Sequence, residues 1–414
     1  MRQESLTEKV KHGLGRIVPR GLKDRCKQAY YTNQNRRVMK KTAGDPLPAL
    51  TPGVRMYAYM GGAFGVGMLG GMVASGCRGA EIPLSIGAVR VGDLHRFAAT
   101  PWDDLIEPEG YKTNNLFIFN ADCAQQLVAR VGAEKLRGRY NIGLWAWELP
   151  EFPDRWRASF EPFDEIWTIS DFCRASITKK SPVPVRTLPL AITVKPDPHL
   201  TRRELGLPEE SFLFLSMYDI LSISQRKNPR GAIDAFLRAF GPDDRRRALV
   251  VKVNHAAQAP REMEELRRLA AGASNIYLVE KDMTLFQAHG LIRLCDCFVS
   301  LHRAEGFGIP VAEAMLLGKP VVVTGWSGNM DFTSPANACC VKYRLEVIGD
   351  KARPPYDAWQ HWAEPDLSDA AGYMKRLADD PDLCRALGSA GQETIRSRYS
   401  AAACGSAMRK LLKL

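Results

Sequence analysis

Metal-binding spacings are missing from this chain of 414 residues. Its ten cysteines (26, 77, 123, 173, 295, 297, 339, 340, 384 and 404) form no Cys-x-x-Cys and no Cys/His ligand pattern, which argues against a zinc module or a redox pair. Cys295/Cys297 and Cys339-Cys340 fall in apolar runs, where a reduced thiol packs as a small hydrophobe. A reducing, cytoplasmic setting is expected. The amino terminus has no apolar signal core, and no repeat of solenoid period is visible. One stretch, Met56 to Cys77, is uncharged over 22 residues, but seven of them are glycine. Glycine is costly inside a helix, so the stretch reads as strand, loop and helix rather than as a membrane span.

Net basic charge is scarce outside one region. Residues 1–42 hold twelve Lys or Arg against Glu4, Glu8 and Asp24, so they carry +9 of the net +11. The remainder is nearly neutral, which excludes a body built to bind nucleic acid. The basic arm, residues 1–50, contains a possible capping box, Ser5-Leu-Thr-Glu8, and Leu6, Val10, Leu14 and Ile17 at helical spacing. It reads either as an interfacial helix for an anionic membrane at the inner face or as a disordered tail.

What is present is alternation. Strand patterns at Val54–Tyr59, Ile82–Ser85, Leu116–Phe119, Ile142–Trp145, Ile166–Ile169 and Val185–Leu188 alternate with helical patterns. Six prolines between Ser181 and Pro208 mark a linker, and a second alternation follows: Phe212–Met217, Leu249–Val253, Ile276–Glu280, Cys297–Leu301 and Val321–Thr324. From Leu367 the chain reads as helical. The expected fold is α/β: Rossmann-like parallel-sheet domains at 51–190 and 209–366, a linker at 191–208, a cleft between the lobes, and helices at 367–414 that return toward the first domain.

The most informative segment runs from Ser300 to Met315. Glu305 and Glu313 stand eight positions apart around Gly306-Phe307-Gly308-Ile309-Pro310. Pro310 suits a first helical position and Gly318 a helix stop, which puts Glu305 in a loop and Glu313 in the first turn. Close-approaching glycine backbone and the amides of a helix start favour phosphate, and the carboxylates favour hydroxyls. Together they describe a sugar nucleotide.

This segment, with Gly318 to Phe332, Met217 to Phe236, Trp145 to Pro153 and Trp362 to Asp366, resembles glycosyltransferase family 4. The family comprises retaining enzymes of the GT-B fold with an E-x7-E motif. The resemblance implies transfer of a sugar from a nucleoside-diphosphate donor to a saccharide or lipid-linked acceptor in polysaccharide or glycolipid synthesis. It implies that Glu305 faces the donor sugar and Glu313 the ribose, with Gly306, Phe307, Gly308 and Ile309 along the donor. Arg226 and Lys227, following a strand, would neutralise the leaving diphosphate. Lys252 is a second cation candidate; His302 belongs to the donor side, as a packed support or as a catalyst. Glu148 would accept from the acceptor hydroxyl, act as base, or cap the next segment. Family members often carry a histidine in this half of the cleft, and no counterpart is evident. Gly62 and Gly65 belong to a glycine cluster that would face the donor or merely pack helix on sheet. Gly65, Gly67 and Gly70 match G-x-G-x-x-G, but the acid a nicotinamide site needs about twenty residues on is missing. The one Asp-x-Asp, Asp380-Pro-Asp382, reads as a helix start, so neither metal nor other cofactor is expected. A sugar-nucleotide epimerase of the same fold and a non-catalytic donor-binding scaffold are the competing readings.

Overall fold

The computed structural model describes residues 20–60, 65–89, 100–107 and 110–413. The capping box at Ser5–Glu8 and Gly62 lie outside them. The chain opens with α1 (Arg20–Lys41) and continues into a sheet of β1 (Thr51–Ala58), β2 (Leu84–Ala88), β3 (Lys112–Ile118), β4 (Tyr140–Trp145), β5 (Glu165–Thr168) and β6 (Val185–Thr187). Their order is β2-β1-β3-β4-β5-β6 and every pairing is parallel. Helices α2 (Gly65–Gly79), α3 (Ala124–Val131) and α4 (Asp171–Thr178) serve this sheet. Met56–Cys77 is thus divided between β1 and α2, and among the described residues no helix is long and apolar enough to cross a membrane.

The second sheet is built from β7 (Phe212–Asp219), β8 (Arg247–Asn254), β9 (Ile276–Val279), β10 (Cys297–Ser300), β11 (Val321–Thr324) and β12 (Cys339–Val341), in the order β9-β8-β7-β10-β11-β12. Its helices are α5 (Ser224–Lys227), α6 (Pro229–Phe240), α7 (Pro260–Ala270), α8 (Leu285–Leu294) and α9 (Ile309–Leu316). A hairpin of β13 (Tyr343–Val347) and β14 (His361–Pro365) follows, then α10 (Leu367–Asp379), α11 (Pro381–Arg398) and α12 (Ala401–Leu412). Strands β12, β13 and β14 are not evident from the sequence: one has three residues and β13 is mostly exposed.

Two features differ from a plain reading of the chain. Residues 20–41 are no loose arm. Gln28 donates to Ser159 Oγ at 3.2 Å, Asn35 to Gln125 Oε1 at 2.7 Å, and Arg36 pairs with Glu161 at 2.6 Å. Among the described side chains of α1 the buried ones are Gln28, Thr32 and Asn35, all polar, with Val38 and Met39 partly buried beside them, so apolar periodicity marks the docked face poorly. The proline-rich connection is also fastened, along α8: Asp197 N–H donates to Phe286 O at 3.1 Å and Arg293 donates to Leu200 O at 2.8 Å.

The last helix closes on the first lobe. A Cβ on Gly76 of α2 would lie 2.6 Å from Cys404 Sγ, and one on Gly405 of α12 would lie 2.3 Å from Gly76 O. Glycine on both surfaces lets the two helices touch backbone to backbone.

Candidate active site

In a parallel sheet, ligands gather at the carboxyl edge where the strand order reverses. In the second sheet that point lies between β7 and β10, which pair at Cys297↔Phe214 and Phe298↔Leu215. The loops leaving these two strands are laced together. Arg303 N–H donates to Arg226 O at 2.7 Å, Arg226 Nη1 to Ala304 O at 2.7 Å, and Asn228 Nδ2 to Leu301 O at 2.8 Å. Ile223, a β-branched residue, is held at φ 64°, and its carbonyl accepts from the amides of Arg226 and Lys227. A β-branched residue there is strained, by about 1–3 kcal/mol, and the strain sets the single turn that aims both cations.

That turn delivers Arg226 and Lys227 to Glu305. Lys227 Nζ lies 2.5 Å from Glu305 Oε1 and Arg226 Nη1 3.2 Å from Oε2, with all three side chains under one-fifth exposed. Burial alone would raise the Glu305 pKa; Lys227 and Arg226 outweigh it and hold the carboxyl at about 2. Burial lowers the Lys227 ammonium, and Glu305 opposes that only in part. The sequence suggested separate duties, an acid for sugar and cations for phosphate. In this conformation they instead form one ion cluster, because three buried charges need each other more than solvent.

The first lobe contributes Glu148, half-buried, whose carboxylate acts electrostatically on both Arg226 and Lys227. Tyr356 is buried within electrostatic reach of Arg226, Glu148 and Glu305. Burial, and then the nearby Glu148 carboxylate against the opposing Arg226, push its phenol well above the ordinary range. Its ring packs on Trp147 with centroids 5.5 Å apart. Tyr356 rides on the segment joining β13 to β14, which Arg155 of the first lobe grips through Asp357 at 2.6 Å and through Pro355 O. Gln360 Nε2 also donates to Glu151 O at 2.8 Å. Sequence reasoning missed Tyr356: it sits in an irregular stretch with no periodicity, and only the neighbouring prolines mark it. Arg303 was missed as well; it clamps the loop by bidentate pairing with Glu364 at 2.6 and 2.9 Å.

The turn after Glu305 meets both lobes. Ser170 caps α4 by accepting from Cys173 N–H and donates its own hydroxyl to Gly306 O at 2.6 Å. A Cβ on Gly328 would sit 2.0 Å from Gly306 O, so these two loops pass in backbone contact. Glu305 N–H is taken by Ser327 Oγ at 2.9 Å. Among the described residues nothing accepts from the amides of Gly306, Phe307, Gly308 or Ile309. Such open donors at a helix start suit an anion.

Several residues lie elsewhere than expected. Helix α9 begins at Ile309 with Gly308 as cap at φ 95°, one residue before Pro310, so Glu313 falls just past the first turn. There it is buried against His289, Nε2 to Oε1 3.2 Å. His289 Nδ1 accepts from Lys195 N–H at 3.0 Å, which leaves the ring proton on Nε2, facing the carboxylate. Lys252, two residues before the end of β8, is fully buried, donating to Val253 O and Asn254 Oδ1 at 2.9 and 2.6 Å instead of reaching into the cleft. Burial, opposed by Asp282 and Asp219, lowers its pKa to about 8. Phe307 turns into an aromatic cluster with Phe332 and Tyr399. His302 is buried and kept neutral by that burial, its ring held by Ser300 Oγ at 3.0 Å and Asn329 Oδ1 at 3.0 Å. It supports the loop. Gly65 opens α2, and in the same helix a Cβ on Gly70 would touch Met60 and Ala58, which is helix–sheet packing. Asp380 caps α11 by accepting from Leu383 N–H. A separate cavity of about 290 Å³, lined by Pro46, Arg55, Lys135 and Arg139, lies at the amino edge of the first sheet, away from this cluster.

HepE of Anabaena, solved with UDP and glucose, superposes with a TM-score of 0.64 at 13% identity, covering 88% of this chain and all of that one. Sucrose-phosphate synthase from Thermosynechococcus elongatus gives 0.62 at 14%, covering 88% of this chain and 98% of its own. The fold is GT-B. A glycosyltransferase from Rickettsia africae gives 0.59 at 11%, covering 88% and 98%. At such identities the likeness to these GT-B structures speaks for architecture. Residues 218–344 match the family model described as glycosyl transferases group 1, a span that contains Arg226, Lys227, Glu305 and Glu313. Among curated proteins none matches.

Proposed function

We propose that this GT-B protein is a retaining glycosyltransferase that moves a sugar from a nucleoside diphosphate to a hydroxyl of a saccharide or lipid-linked acceptor. The carrying observation is the convergence of Arg226, Lys227 and Glu305 where the second sheet reverses strand order, beside the open amides of Gly306 to Ile309. The reading is that those amides and the two cations take the diphosphate while Glu305 faces the sugar. As the bond from anomeric carbon to phosphate oxygen breaks, the electron pair leaves with the diphosphate, whose growing charge the cations stabilise without a metal ion. The acceptor oxygen attacks from the same face, and its proton passes to the departing phosphate oxygen. Glu148 and Tyr356 lie on the acceptor side of the cluster and orient that hydroxyl.

We place the acceptor at the inner face of a membrane. The support is α1, whose outer surface exposes Arg25, Lys27, Arg37, Lys40 and Lys41; juxtaposed cations each add roughly 1 kcal/mol on an anionic bilayer. Sedimentation with anionic but not neutral vesicles is the expected result.

The deciding experiment is a melting screen with UDP, GDP, TDP and ADP, followed by transfer assays in chelator with the matching sugar nucleotide. A ligand at about 100 times its dissociation constant adds about 2.7 kcal/mol of stability. Stabilisation by none of the four overturns the reading. Activity abolished by chelation removes its metal-independent part.

A further inference from the structure

The hairpin beyond the second sheet presents an unusual edge. β13 pairs only with β14 among the described residues, so its other side is open. Asp366 N–H donates to Lys342 O and Ile348 N–H to Gln360 O, which fixes the even-numbered residues as those bonded toward β14. In an antiparallel pair the bonding direction alternates along the strand. The N–H and C=O groups of Tyr343, Leu345 and Val347 therefore point out from the free edge. Their side chains are exposed as well, at 42%, 53% and 55%. Open edges are normally blunted by proline, lysine or a bulge, and Tyr343–Val347 carries none of these.

The five-residue sequence Tyr-Arg-Leu-Glu-Val is also complementary to itself. Reversed about Leu345, it sets Arg344 opposite Glu346 twice and Tyr343 opposite Val347 twice. Arg344 and Glu346 lie on one face, Nε to Oε1 2.6 Å, so each charge is already poised where a facing strand would present its opposite. In that alignment Leu345 meets Leu345 as a hydrogen-bonded pair. The charged residues occupy the non-hydrogen-bonded positions, where facing side chains come closest.

We infer that β13 pairs antiparallel with the β13 of a second copy of this chain about a two-fold axis at Leu345, joining two hairpins into one four-stranded sheet. The pairing is isologous and closes on itself, which limits it to a dimer. A strand of this length buries less than a standard interface, so the association is a concentration-dependent equilibrium and not a permanent dimer.

Sedimentation velocity between about 1 and 200 µM, a range suited to a weak interface, tests it with four proteins whose melting is checked alongside. The wild type shifts toward dimer as concentration rises. R344E sets two carboxylates against each other across the axis and remains monomeric. R344E/E346R restores complementarity with the charges exchanged and dimerises again. L345P removes an N–H that serves no bond inside the hairpin, so it stays folded and monomeric. A wild type that is monomeric throughout, or a dimer that survives R344E or L345P, overturns the inference. A dimer lost in R344E and not regained in the exchange overturns the register at Leu345.

Discussion

Glu305→Gln keeps the shape of the side chain and removes the charge that Lys227 and Arg226 share at 2.5 and 3.2 Å. At an effective dielectric of about 20, each such contact is a gross attraction of about 5–7 kcal/mol. Desolvation cancels much of this, and stripping one partner from a buried pair costs about 3–5 kcal/mol. Linkage gives a second route to the size. The folded carboxyl titrates at about 2, below the roughly 4.3 of an unfolded glutamate, a gap of about 3 kcal/mol. Because the folded value is depressed, that stability is complete above about pH 4.3 and disappears as pH falls toward about 2. In the variant, Lys227 loses the acid that opposes its desolvation, so it sheds its proton more readily and the variant recovers stability on the alkaline side. Urea unfolding from about pH 3 to pH 9 should show a difference between wild type and variant that peaks near neutrality and narrows at both ends. A nucleoside diphosphate should stabilise the variant at least as well as the wild type, since its phosphates supply the missing counter-charge, while sugar transfer is lost. A difference independent of pH, or below about 1 kcal/mol at neutrality, would refute the ion cluster.

Three further outcomes are expected. Tyr356→Phe keeps the ring on Trp147 and loses the hydroxyl beside Glu148; one hydrogen bond of about 1.4 kcal/mol predicts a transfer rate about tenfold lower at unchanged donor affinity, by steady-state kinetics and calorimetry. Glu313→Gln leaves a hydrogen-bonding side chain beside His289; melting should stay unchanged while the donor dissociation constant rises about tenfold through one weakened hydroxyl contact. Lys252, lowered to about 8 by burial, makes the wild type more stable as pH climbs from about 8 toward 10.4, by up to about 3 kcal/mol; in Lys252→Met this rise is absent from urea midpoints.

The alternation of buried strands and helices made both sheets legible, because a strand covered on two faces is apolar along its whole length. The Gly-Phe-Gly turn and the basic pair after β7 were legible for a different reason: glycine and clustered like charge are costly unless a site needs them. What stayed hidden were contacts made by polar or irregular segments. The buried side chains described on α1 are Gln28, Thr32 and Asn35, polar residues that a hydrophobic period does not reveal. Tyr356 reaches the cluster from a loop with two prolines. Glu313 was legible as an important acid, yet its partner His289 lies on a different helix, and only the fold brings them together. β13 was invisible because its alternation, apolar then charged, faces solvent on both sides.

The pairing of Glu305 with the two cations bears on how the site meets its donor. A cleft that kept Arg226 and Lys227 bare would leave two like charges side by side in a poorly solvated turn, a state that costs several kcal/mol and invites the loop to rearrange. With Glu305 and Glu148 near, the four charges balance and the loop geometry is set before any ligand arrives. On the proposed reading, a diphosphate would trade one anion for another: the cations would turn from carboxylate to phosphate with little movement of backbone, because Arg226 is anchored to Ala304 O and Arg303 to Glu364. Glu305, released, would then face the sugar, as proposed above. Electrostatic preorganisation of this kind is most effective when the stabilising groups need not be assembled as charge develops. On that reading the ion pairs of Glu305 with Arg226 and Lys227 keep the loop geometry ready for the donor.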